Sequence, residues 1–149
     1  MLMPVPVAIV DALNSLLEAE QGSVIRFMGE GSPYLGRADA DVRRPLQLMV
    51  ETNRRHVGEL WRLIDDLGAE PRPGRPQPAE QYLAFLSLKF LMPKLIEAKE
   101  LLIRRYESAL KAVGKGQEHV AEVLQRHVGE HRSELAMLQR ATEQVMAGK

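Results

Sequence analysis

Apolar residues recur along this chain every three and four positions in four blocks, and glycine or proline closes the blocks. That periodicity restricts the fold more than any other feature, because a stripe returning at 3.6 residues lines one side of a helix whereas a strand needs alternation at two. No Asn-Gly or Asp-Gly hairpin turn occurs and aromatics are only 5% of the residues, so β-structure has little support. The spacing predicts helices over about 7–28 (Val10, Leu13, Leu17, Val24, Met28), 38–67 (Val42, Leu46, Met49, Val57, Leu60, Leu63, Ile64), 93–113 and 117–146. Gly68 is the expected C′ glycine of the second, and Gly114-Lys115-Gly116 the expected reversal before the fourth. Glu70 to Pro78 holds four of the nine prolines and reads as a connection. The apolar run Ala79 to Leu91 behind it predicts a helical crossover segment, with Pro93 kinking or restarting the chain into the third helix. The expectation is a single all-α domain over 1–149, an antiparallel four-helix bundle.

Charge and composition exclude several functions. Lys+Arg 20 against Asp+Glu 20 leaves a net charge of zero, so no basic field points to nucleic acid or to an anionic membrane. With no cysteine, any metal needs carboxylate or imidazole ligands. The apolar start of the chain has no basic flank, and Asp11 cuts it too short for a secretory or membrane-spanning segment. A cytoplasmic protein is expected. Phosphate-binding and serine-hydrolase motifs are missing, as is a His-Glu-x-x-His pair.

The chain also repeats itself. Leu16-Leu17-Glu18-Ala19 returns as Leu95-Ile96-Glu97-Ala98, with Arg26-Phe27 returning at the same offset as Arg105-Tyr106. Arg55-His56-Val57-Gly58-Glu59 returns unchanged as Arg126-His127-Val128-Gly129-Glu130. Helix one thus matches helix three and helix two matches helix four, the pattern of two duplicated hairpins.

Leu13-Asn14-Ser15-Leu16-Leu17-Glu18-Ala19-Glu20 resembles the first helix of the bacterioferritin branch of ferritin-like proteins, with Glu20 on the position of a metal-binding glutamate. The family's second helix carries Glu-x-x-His, then a helix-ending glycine and a proline; His56, Gly68 and Pro71 keep nearly that spacing. The resemblance implies a ferritin-like bundle with a long link between its second and third helices. It also implies a di-iron site, which this chain departs from. Asn53 and Leu124 stand where the two Glu-x-x-His glutamates belong, and the repeat sets Lys99 opposite Glu20. The implied protein is therefore ferritin-like with an altered or lost di-iron site, acting as a binding or stress-related bundle.

Helical spacing still turns these residues inward, into one polar layer of Glu20, Asn53, His56, Lys99, His127 and His131. Buried ions persist only when they satisfy one another or hold something. In one solution Lys99 fills the space of a metal and pairs with Glu20. In the other, Glu20, His56 and His127, with His131 as a further candidate, bind iron, manganese or zinc, as in a metal-dependent oxidoreductase. Glu59 and Glu130, one turn beyond the histidines, are expected as outer partners of the ligands or as solvated neighbours, and Tyr106 shares the face of Lys99. A third reading is a plain helical interaction module without a polar layer. The apolar excess of Gln81 to Met92 suggests a homodimer.

Overall fold

A computed structural model of the chain describes residues 6–23, 25, 40–74 and 87–147. Among them are four α-helices and no strand: α1 (Val7–Gln21), α2 (Ala40–Asp66), α3 (Leu88–Val113) and α4 (Glu118–Ala147). No helix among these residues is long and apolar enough to cross a membrane.

Three boundaries depart from the sequence expectation or refine it. The first helix stops at Gln21, not near 28: Gly22 N–H still makes the helical bond to Glu18 O at 2.9 Å, but Ser23 N–H turns to Glu20 O, three residues back, at 3.3 Å and closes the last turn. The Ser23 hydroxyl then accepts from the N–H of Ile25, which is helical again. Val24 and Met28 of the expected stripe lie outside the described residues. α2 ends as expected, with Gly68 at φ 77 and its N–H donating to Asp65 O, while Ala69 N–H reaches back to Ile64 O.

The third correction concerns Pro93, which neither restarts nor ends a helix. α3 begins five residues earlier and runs through it. Proline removes one helical hydrogen bond, but Leu91, Met92 and Leu95 on either side are buried, and that burial outweighs the loss. The rest of the expected crossover segment, up to residue 86, falls outside the described residues.

α1 and α4 each pack against both α2 and α3, and the α3–α4 contact is the most extensive. The interior is divided in two. One apolar cluster joins Leu13, Leu16 and Leu17 of α1 to Leu60 and Ile64 of α2, Leu102 and Val113 of α3, and Val120 and Leu124 of α4. The other joins Leu46 and Met49 of α2, Leu91, Met92 and Leu95 of α3, and Leu138 and Ala141 of α4, with Ile25. On every helix the buried polar residues fall between or beside these two sets. Outside the core, Trp61 is 43% exposed and so is no core residue. His119 is exposed, as its place near the start of α4 suggests.

Beyond α2 the chain is strapped to α1 chiefly through the buried Asn14 side chain. Asn14 is 4% exposed; its Oδ1 accepts from the Arg72 N–H at 2.6 Å and its Nδ2 donates to Glu70 O at 3.4 Å. Arg72 also reaches Asp11 at 2.9 Å. Asn14→Ala leaves these strap groups without their partner and is expected to lower stability by about 1–2 kcal/mol. Urea unfolding measures it, and a loss under about 0.5 kcal/mol would mean that water replaces the amide.

Candidate metal centre

The polar layer is built around one carboxylate. Glu20, in the last turn of α1, is 1% exposed and faces donors from all three other helices. Asn53 Nδ2 donates to its Oε1 at 3.0 Å and to its backbone carbonyl at 2.9 Å. Its Oε2 meets His56 Nδ1 at 2.8 Å and His131 Nε2 at 2.8 Å, and accepts from the Tyr106 hydroxyl at 2.7 Å. Burial alone would raise the Glu20 carboxyl, but the hydrogen bonds and charge of His131 and His56 hold it well below the usual carboxylate range. Tyr106, fully buried and facing that anion, is pushed well above its ordinary value by burial and by Glu20.

Lys99 does not pair with Glu20. Its Nζ donates to Glu134 Oε1 at 2.8 Å and lies 3.0 Å from His131 Nδ1. The reason is geometric and chemical: α3 packs most closely on α4, and Glu20 is already supplied by Asn53, His56, His131 and Tyr106. Glu134, 5% exposed, is the site residue that sequence reasoning missed. The signal was present, since Leu124, His127, His131, Glu134 and Leu138 follow one another at alternating steps of three and four along α4. Against the raising effect of burial, His131 and Lys99 hold the Glu134 carboxyl below its ordinary value.

The duplicated motif pairs with itself across α2 and α4. The His56 and His127 rings stack with centroids 3.8 Å apart and an interplanar angle of 22°. His56 Nε2 faces Glu130 Oε1 at 3.2 Å, and His127 Nε2 faces Glu59 Oε1 at 3.3 Å. Arg55 is bonded to Glu130 and Arg126 to Glu59, so each copy of the motif supplies the arginine for the other copy's glutamate. Glu59 and Glu130 are thus partners of the histidines and only partly solvated. Stacked rings do not share two positive charges cheaply. His127 gives way: burial, then the charge of His56, lower it to about 4. Burial raises Glu130, but Arg55 and His56 outweigh it and hold the carboxyl at about 2.

Of the residues expected to hold a metal, Glu20, His56 and His131 converge, each offering a ligand atom within 4.8 Å of the others. His127 is not part of that group; its Nδ1 is 3.0 Å from the Tyr106 hydroxyl. The donor set fits one ion. Metal–ligand bonds of about 2.0–2.2 Å need ligand atoms somewhat further apart than the 2.8 Å seen here, a shift of about half an ångström. Both imidazoles must then present a lone pair inward and carry their proton on the far nitrogen, and each far nitrogen has a carboxylate: Glu130 at 3.2 Å for His56, Glu134 at 3.5 Å for His131. The Asn53 Oδ1 atom in the same layer is buried without a hydrogen-bond partner. Comparison with protein-family models, with curated proteins and with solved structures finds no match.

Proposed function

We propose that this chain is a ferritin-like bundle with antiparallel helices whose altered centre binds one divalent transition-metal ion, instead of an iron-oxidising pair. One observation carries the reading: Glu20 Oε2 lies 2.8 Å from both His56 Nδ1 and His131 Nε2, with the three ligand atoms within 4.8 Å of one another, in a layer enclosed between two apolar clusters and with a carboxylate behind each imidazole. The make-up of those clusters supports opposed helix directions, since the C-terminal halves of α2 and α3 meet the N-terminal half of α4 in one cluster and their N-terminal halves meet its C-terminal half in the other. The resemblance around Glu20 and His56 supports the ferritin-like assignment.

Two imidazoles and one carboxylate suit zinc, iron or manganese. When bound, such an ion supplies a Lewis acid in a water-poor site. The chain's own part is to hold Glu20 as an anion, to aim both histidines, and to balance the charge of Lys99 through Glu134 so that it does not face the ligand atoms unpaired. Asn53 and Lys99, standing where the resemblance places metal-binding carboxylates of a two-metal site, favour a single ion over two.

Titration of carefully stripped protein with Zn²⁺, Mn²⁺ and anaerobic Fe²⁺, followed by elemental analysis, tests this. One equivalent should bind, and the double variant His56→Ala, His131→Ala should lose it while far-UV circular dichroism still reports a helical protein. Failure of the unsubstituted protein to take up an equivalent of any of the three would leave the layer a purely structural network.

A further inference from the structure

Lysine has three N–H donors and no acceptor. The 3.0 Å contact between Lys99 Nζ and His131 Nδ1 therefore makes Nδ1 the acceptor and belongs to the neutral ring, with its proton on Nε2 and directed at Glu20 Oε2, 2.8 Å away. That tautomer has no lone pair to offer at Nε2, the atom through which His131 joins Glu20 and His56. The opposite tautomer, with Nδ1–H donated to Glu134, frees Nε2. Glu134 Oε1 is 3.5 Å from Nδ1, short of hydrogen-bond range by a few tenths of an ångström, because Lys99 at 2.8 Å engages the same oxygen.

We propose that Lys99 is a positioning residue that sets metal affinity by holding His131 in the metal-refusing tautomer, and that loading the centre requires Lys99 to give up Nδ1 and Glu134 to accept a hydrogen bond from Nδ1–H. This rests on the single-ion reading of the same centre and adds what governs it. The ring carries one proton in both forms, so the exchange moves a hydrogen-bond pattern and leaves the charge unchanged. Two coupled exchanges complete the site, each ring losing a proton to water at the nitrogen facing Glu20 and gaining one from water at its far nitrogen: His56 then donates to Glu130, and His131 to Glu134. Only the second has a cation against the ring itself: Lys99 Nζ lies 3.0 Å from His131 Nδ1, whereas Arg55 reaches Glu130 and leaves its Oε1 3.2 Å from His56 Nε2. Lys99 is 6% exposed and its ammonium is held between Glu134 and His131, so it is not free to swing into solvent.

Two measurements test the proposal. In ¹⁵N-histidine NMR of the metal-free protein, recorded above the His131 titration seen in the same spectra, the His131 Nδ1 resonance should show a bare, hydrogen-bonded nitrogen and Nε2 a protonated one. In the double variant Lys99→Met, Glu134→Gln the pattern should reverse, the introduced side-chain amide oxygen accepting from Nδ1–H, and Zn²⁺ affinity should rise about tenfold or more. The double change avoids leaving a buried carboxylate unpaired, so the variant is expected to fold. A His131 ring protonated on Nδ1 in the unsubstituted protein, or unchanged Zn²⁺ affinity in a variant whose tautomer has reversed, would overturn the role of Lys99. If neither protein binds Zn²⁺ while the tautomers are as stated, the metal reading and its control by Lys99 both fail and only the hydrogen-bond assignment survives.

Discussion

Replacing Lys99 by leucine is expected to lower stability by about 3–5 kcal/mol, and replacing Glu134 by leucine by a similar amount, because each change leaves the other charge buried without its main partner. Both side chains are almost fully enclosed, 6% and 7% exposed, and bonded at 2.8 Å. Changing both together should lose much less than the sum of the two, about 1 kcal/mol or even a small gain, since the pair is then exchanged for apolar residues between two apolar clusters. Urea denaturation of the four proteins at pH 7 gives the cycle directly. Additive losses would show that the two residues act independently. The same cycle on Lys99 and Glu20 should show a far weaker coupling, because Glu20 keeps Asn53, His56 and Tyr106 when Lys99 is gone.

Acid should weaken the protein in a way traceable to one imidazole. His127 is lowered from 6.5 to about 4 in the fold, by burial and by His56, so between those values the unfolded chain takes up a proton that the folded chain refuses. Stability is then fully present above pH 6.5 and falls as pH drops toward 4, by about 3 kcal/mol for this group. Glu130, held at about 2 against an ordinary 4.5, adds a further loss below pH 4.5, smaller because that side chain is 30% exposed and its ion pair partly screened. His131 acts in the opposite sense. Burial lowers it, but Glu134 and Glu20 more than reverse that, so its contribution is present below pH 6.5 and lost as pH rises through its raised value. Comparison with His127→Phe isolates the first effect: the variant's urea midpoint should be much flatter between pH 6.5 and 4. Parallel profiles for the two proteins would rule out His127 as the source.

How much of this is legible in the sequence depends on the kind of signal. Helix periodicity places α2 and α4 to within two residues at each end, and Gly68 marks its turn, because amphipathic spacing and a left-handed glycine are local facts. Pro93 misleads, since a proline's local effect is read more easily than the tertiary burial of Leu91, Met92 and Leu95 that carries a helix through it. The inward faces of Glu20, Asn53, His56, Lys99, His127 and His131 follow from the same spacing. Their partners do not. Helical phase shows which way a side chain faces but not which helix lies closest, and so the pairing of Lys99 with Glu134 cannot be read from one strand of sequence.

The crossed pairs Arg55 with Glu130 and Arg126 with Glu59 carry an evolutionary implication. Genetic drift in one half of an internal duplication is ordinarily free to outrun the other, yet here a charge reversal in either motif breaks a contact made by its sibling. The two pentapeptides should therefore change in concert across orthologues, arginine and glutamate exchanging places together, while the surrounding helix surfaces diverge.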